Sequence, residues 1–474
     1  MKHLLTSIIL AATPMISGAQ ALTGYFLNNQ ENASAFNPAF NANCKAYVSL
    51  YGLYLDAGHS AFGLKDALKD DDQSDSYILD LNNIYGKLGK KNVFYTDQQI
   101  NLLNFGFRAG EGFINAGFGI KSSEQISYSK NLLKIKDGTY FNDENSELDL
   151  SGTEINAKLY YEISLGYSRN ISDKLTVGVA LKRLQGLADI TSRKSDIKFT
   201  TKGDMYDLAL ETDLEFDVAS NVEYDVCRNE DNQIDSLHAT NIDFDNFEAK
   251  DIKTLLKPQN GGWALDFGAT YKILPRLTLA ASVIDLGAIK WKSGNKKFTQ
   301  SGTFNFTGID ISDYFSNLDS IGDVLSDSLN NYVTPVDSDK SYLGFLNTKI
   351  YLSGEYEVNN WFTGGLMWRG VICGKKLVSS LTSSANLKLG HSTQFAFSWT
   401  IMNSKANLFG IGYVQKLGGV QFHFIMDQIS PAFWACNDSS AADKWIKNTT
   451  SCSFQTGMSI IIGRKYLYNY SLLD

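Results

Sequence analysis

The stretch EINAKLYYEISLGYSRN (154–170), with ISDK (171–174) and LTVGVALKRLQGLAD (175–189) after it, decides the architecture. Ile155, Ala157, Leu159, Tyr161, Ile163, Leu165 and Tyr167 alternate with Asn156, Lys158, Tyr160, Glu162, Ser164, Gly166 and Ser168. A period of two sends the two sets to opposite faces of an extended strand, whereas a helix would scatter the apolar set around its axis. Residues 169–174 read as a turn. Alternation then resumes, with Leu175, Val177, Val179 and Leu181 set against Thr176, Gly178, Ala180 and Lys182. These strands outrun the ~5–6 residues usual in soluble sheets and reach the about 9–11 that cross a bilayer. The pattern predicts a membrane-crossing β-hairpin.

Residues 1–19 read as a secretory signal: Lys2 is the positive start, 4–16 the short apolar region, and Ser17-Gly18-Ala19 a small-residue cleavage site. No later run of about 18 apolar residues offers a transmembrane helix. Lipid supplies no hydrogen bonds to a backbone, so an exported chain that spans without a helix must close a barrel. The expected location is the cell outer membrane, with its lipids and the barrel assembly machinery as partners. Mean hydropathy is −0.18 and charged residues make up 20%, as expected where apolar residues alternate instead of clustering. Aromatics reach 12%, enough for interfacial girdles. A net charge of −8 argues against nucleic acid, which requires a basic footprint.

The hairpin pattern recurs along the chain. Trp263, Leu265, Phe267, Ala269 and Tyr271 lead through 274–276 into Leu277, Leu279, Ala281 and Val283. Ile350, Leu352 and Tyr356 precede Phe362, Leu366 and Trp368, and Phe395, Phe397 and Trp399 precede Phe409, Ile411 and Tyr413. In all, the expectation is an all-β, transmembrane antiparallel β-barrel of about fourteen strands over 45–474, an even number as single-chain bacterial barrels usually have. Short turns at 109–112, 169–174, 272–276, 357–360, 390–393 and 415–419 alternate with long connections at 57–95, 123–152, 189–260, 292–345 and 430–450, apart from small outer connections near 373–383 and 403–406. Barrels of this class keep short turns periplasmic and long loops outside.

The second face of each strand names the candidate lumen: Arg108, Lys158, Glu162, Lys182, Asp266, Glu355, Arg369, Lys388, His423 and Asp427. On the lipid side each charge would cost about 2–4 kcal/mol at the midplane. They form either a polar conduit or ion pairs that fill a plugged barrel, and their mixed signs argue against strong ion selectivity. The 204–251 stretch is acidic, offset only by Arg228 and Lys250, and reads as a solvated surface loop. Within it, Leu208 to Val218 alternate, which predicts a strand continuing above the membrane. Glu230-Asp231-Asn232 to Asp235 lacks the spacing and turn glycine of an EF-hand. The five histidines show no metal-ligand spacing, and there is no nucleophile elbow, phosphate loop or paired-cysteine motif. His391-Ser392 and Ser398 lack an orienting partner for a serine-histidine pair. We expect no catalytic residue, no metal and no cofactor. Of five cysteines, Cys436 and Cys452 bracket one outer loop and make the best candidate disulfide.

Ahead of the first strand stands ENASAFNPAF (31–40). Its Asn37-Pro38-Ala39, placed between a signal and about fourteen strands, resembles two groups. One is the FadL-like channels for fatty acids and hydrocarbons, whose N-terminal segment folds into the barrel as a hatch. The other is the Bacteroidota outer-membrane barrels, including PorV-like and PorP-like secretion or gliding components and relatives of unknown function. The layout resembles the last of these most. The resemblance implies a hatch over 20–44 and a channel or transporter for small or hydrophobic solutes. Alternatively it implies a non-conducting surface-complex component that meets protein partners through its outer loops. Residues 466–474 depart from the usual aromatic barrel ending. From the residues alone, Asn37-Pro38 reads either as an ordinary turn or as part of that hatch.

Overall fold

The computed structural model describes residues 22–27, 30–42, 44–62, 67–70, 77–137, 147–201, 207–228, 234–241, 248–307, 334–337, 340–373, 376–390, 392–402, 405–429 and 451–464. The expected signal peptide, His391, Cys436 and the Glu230 to Asn232 run lie outside them, as does the side chain of Cys452.

Fourteen strands form the wall. They are β1 Cys44–His59, β2 Lys91–Ala109, β3 Gly112–Ser129, β4 Glu154–Asn170, β5 Leu175–Thr201, β6 Asn260–Leu274 and β7 Leu277–Trp291. The second half comprises β8 Thr348–Glu357, β9 Phe362–Cys373, β10 Lys376–Leu389, β11 Thr393–Met402, β12 Lys405–Leu417, β13 Val420–Ile429 and β14 Ser451–Arg464. Each pairs antiparallel with its neighbour in sequence. The sheet closes where β14 meets β1, from Cys44↔Arg464 to Gly58↔Ser451. Closure leaves the wall no open edge, which is what a spanning sheet requires.

The exposure pattern is inverted relative to a soluble protein. Leu50, Leu103, Phe105, Ile163, Leu165, Leu352, Leu366, Trp399 and Ile462 face outward and are exposed, whereas Ser49, Glu162, Lys182, Asp266, Thr382 and Gln421 are buried. Only a lipid-facing exterior makes that arrangement favourable. Strand lengths run from 10 residues in β8 to 27 in β5, so every strand is long enough to cross.

The short turns stand where the sequence places them. Gly110 and Gly418 adopt φ of +60°, which lets β2–β3 and β12–β13 reverse within two residues. The long connections are shorter than expected, because strands extend past the apolar band: β1 to His59, β3 to Ser129 and β5 to Thr201. Past the apolar band no lipid enforces alternation, so the pattern that marks a strand in lipid fades at these ends. Within the 189–260 connection a strand, Asp207–Ser220, pairs with the upper part of β5 and with Lys296–Thr307. Its acidic residues are not simply solvated: Asp217 meets Arg193 at 2.6 Å, Glu215 meets Lys297 at 2.8 Å, and Asp213 pairs with Lys194. Nearby, Tyr342 donates to Asp189 at 2.8 Å. Burial first, then the Asp189 carboxylate, raises the pKa of that hydroxyl.

Candidate functional site

Residues 22–27 and 30–42 lie inside the barrel. A short helix, Leu22–Tyr25, and a 3-10 turn, Glu31–Ala35, make the segment compact. The Asn37 side chain accepts from the Ala39 N–H at 2.9 Å, an Asx turn that Pro38 pre-sets. Tyr25, Phe26 and Leu27 are fully buried, which at about 1.5–3 kcal/mol per side chain holds the segment against the wall. Tyr25 stacks on Tyr351 of β8 with centroids 5.4 Å apart, and Phe36 and Phe40 meet Tyr25 edge-on.

Polar contacts fix its register on several strands. The Thr23 N–H donates to both oxygens of Asp427 at 3.2 Å, and its hydroxyl lies 2.6 Å from Ser398. Ser282 donates to the Phe36 carbonyl at 2.7 Å, Asn37 donates to the Ala281 carbonyl at 3.3 Å, and Arg108 donates to the Ala42 carbonyl at 3.3 Å. The wall is carved to receive the segment. A Cβ on Gly178 would sit 2.2 Å from the Pro38 carbonyl oxygen, and one on Gly268 would sit 2.0 Å from Asn37 Oδ1.

Beside this plug lies a ring of charge. Lys182 Nζ sits 2.6 Å from Asp266 and 2.6 Å from Asp285; Lys121 sits 2.8 Å from Glu162 and 3.6 Å from Asp285. Lys349 sits 3.8 Å from Asp285 and 3.6 Å from Asp97. These groups share one level because each stands a similar distance from its short turn: Glu162 above Asn170, Lys182 above Leu175, Asp266 below Leu274 in the chain, Asp285 after Leu277. Three lysines face four carboxylates, Asp97 included, so the ring carries little net charge.

Asp285 reaches this ring through a β-bulge. Leu265 pairs with Leu286 and Phe267 with Val283, so Ile284 and Asp285 together oppose Asp266. Asp285 takes φ of +60°, alone in this among the described non-glycine residues, and its N–H donates to Asp266 at 2.7 Å. The bulge switches the outward phase of β7: Leu279 is exposed before it and Leu286 after it. A side chain that strict alternation sends to lipid thereby turns inward.

All ten lumen candidates occupy the inward phase of their strands. Glu162, Lys182 and Asp266 meet in the ring. Arg369 is buried with its guanidinium 5.7 Å from the Tyr351 ring, and Arg108 stands 5.6 Å from the Phe113 ring. His423 and Asp427 are buried on β13, and Asp427 holds the plug. Lys158, Glu355 and Lys388 are half-buried and stand apart from the ring's ion pairs. Alternation alone misses Lys121, Lys349, Asp97 and Asp285. The first two stand just past the apolar runs of β3 and β8, Asp97 lies in the upper part of β2, and the bulge hides the last.

A cavity of about 130 Å³ separates plug and ring, bounded by Asn32 and Phe36 below and by Lys121, Lys182 and Lys349 at the side. Toward the long-loop end, Tyr160, Leu184, Ile289 and Trp291 of the same strands pack with Leu346, just before β8, into a buried apolar layer.

A model described as a family of unknown function (DUF5723) matches residues 38–427. The chain belongs to this family. The DUF5723 match begins at Pro38 and ends at Asp427, so it takes in every barrel strand but β14 and the last two residues of β13. No curated protein matches the chain. Among solved structures, it is similar to the Ralstonia pickettii toluene transporter TbuX (9% identity, 92% of this chain and 94% of that one, TM-score 0.44). It is similar also to the Pseudomonas putida toluene transporter TodX (8% identity, 94% and 98%, TM-score 0.41) and to a Pseudomonas aeruginosa FadL homologue (10% identity, 94% and 99%, TM-score 0.40).

Proposed function

We propose that this protein is an outer-membrane channel that its own N-terminal segment closes at rest, and that it passes small solutes. The observation that carries this reading is the seating of 22–27 and 30–42 in the lumen, where the segment accepts hydrogen bonds from β2 and β7 and donates one to β13. A plug built from the chain's own start is covalently retained, so release of a few contacts opens a path without loss of the part. The polar lumen favours small hydrogen-bonding solutes over hydrophobic ones, because an apolar solute would strand buried amides and charges without partners. The short turns then face the periplasm and the long connections the medium.

A second reading rests on the sheet of β5, Asp207–Ser220 and Lys296–Thr307 that stands above the apolar band. It offers a surface for protein partners, as in a secretion or gliding complex. Planar-bilayer recording separates the two. With residues 24–42 deleted and the signal retained, a channel conducts more than its parent, whereas a complex component stays silent in both forms and co-purifies with partners.

A further inference from the structure

The cavity between plug and ring has a chemistry of its own. Its charged wall is already satisfied: Lys121 and Lys182 hold Glu162, Asp266 and Asp285 within 4 Å, and Lys349 lies 3.8 Å from Asp285. With three cations against three anions on this wall, a charged solute finds no net attraction and would have to break existing pairs.

The remaining wall is rich in carboxamides, among them Asn32, Gln99, Asn101, Asn104, Asn115 and Gln455. Their own bonds use only part of their capacity. Gln99 donates to Asn101 at 2.7 Å and Asn104 donates to Asn32 at 3.4 Å, while Gln455 Oε1 is buried without a partner. Asn115 makes no side-chain hydrogen bond among the described residues. Each carboxamide offers donors and an acceptor side by side. A hydroxyl also donates and accepts, so a solute carrying several hydroxyls matches such a wall at many points. Tyr47 and Tyr54 line the same space with aromatic rings against which the C–H faces of a small ring can lie.

We propose that this cavity binds a neutral, hydroxyl-rich solute of monosaccharide size. The proposal deepens the channel reading, since it names the solute class of that path. An apolar solute would leave the carboxamides unpaired, and an ion would meet a wall whose charges are already engaged.

The test is isothermal titration of the purified full-length barrel with D-glucose, D-ribose and myo-inositol, beside toluene, L-lysine and inorganic phosphate. Saturable binding is expected for at least one of the three polyols and for none of the comparators. Asn115→Leu and Asn101→Leu each weaken that binding tenfold or more, while both variants keep the heat-modifiable gel migration of a folded barrel. If either fails to fold, Asn115→Ala and Asn101→Ala take its place with the same expected loss. Three results overturn the proposal: no saturable polyol binding, saturable binding of a comparator, or binding that ignores the substitutions. Because titration needs no open pore, its failure beside a conducting deletion variant removes the solute class and keeps the channel. Polyol binding beside a silent deletion variant keeps the site and removes the channel.

Discussion

Asp285→Ala strikes the centre of the lumenal charge ring. The carboxylate lies within 4 Å of Lys121, Lys182 and Lys349, and its side chain is only 7% exposed. Its loss takes a partner from all three lysines, leaving Lys121, Lys182 and Lys349 with Glu162, Asp266 and Asp97 in a buried place. Removing one partner of a buried ion pair typically costs about 3–5 kcal/mol, because the orphaned charge stays desolvated. Relief of the positive φ returns little, since alanine tolerates it no better than aspartate. The lower part of that range, about 3 kcal/mol, is expected, because Lys182 keeps Asp266 at 2.6 Å and Lys121 keeps Glu162 at 2.8 Å. Adding Lys121→Met returns the ring to its original net charge, leaving Glu162 to Lys182 at 3.9 Å. The double variant should recover at least about 1.5 kcal/mol, a coupling of the size expected for residues in direct contact. Reversible urea unfolding in detergent micelles, followed by tryptophan fluorescence, measures both values. An Asp285→Ala cost under about 0.5 kcal/mol, the scale of ordinary surface substitutions, would refute a buried, mutually dependent ring.

Three further outcomes are expected, the last from the sequence alone. Leu165→Arg, on the lipid face of β4 where the side chain is 58% exposed, should destabilise the barrel in bilayers by about 2–4 kcal/mol; a neutral effect in vesicle unfolding would move that face away from lipid. Protease added to intact cells should cut within 189–260 and spare the 169–174 turn, and cleavage only after cell breakage would reverse the orientation. Non-reducing digestion of protein taken from the membrane should release a peptide pair joined through Cys436 and Cys452, whose loop closure is worth ~3 kcal/mol in the chain-entropy model; two free thiols would remove the bridge.

The barrel was legible because lipid enforces alternation residue by residue. Ile163, Leu165 and Tyr167 face outward since any polar substitute would be costly, and the same constraint places Glu162 and Asp266 inside. Legibility ended where that constraint ended. Lys121 and Lys349 sit at the margins of the apolar runs, whereas Asp207–Ser220 stayed legible because its own alternation continues above the membrane. Asp285 was hidden for another reason: one extra residue in β7 reverses the phase, and no residue type in Val283-Ile284-Asp285-Leu286 announces it apart from an aspartate in an apolar run. The plug was visible through Tyr25, Phe26, Leu27, Phe36 and Phe40, five large apolar side chains in a segment with no strand pattern. Its footprint was visible only as glycine: Gly178 reads as a small residue in an alternating strand until Pro38 is found against it.

The central claim is that the N-terminal segment closes the pore and can leave its seat. Thr23 and Ser398 bring their hydroxyl oxygens to 2.6 Å across the plug–wall boundary, close enough for cysteines in their place to bridge. Single-channel conductance of the Thr23→Cys/Ser398→Cys barrel, recorded before and after addition of a reductant, tests the claim most directly. A self-plugged channel predicts a silent barrel while the bridge holds and repeated opening events once it is reduced. Equal conductance in the two states would contradict it and leave 22–42 as a fixed filling of the barrel.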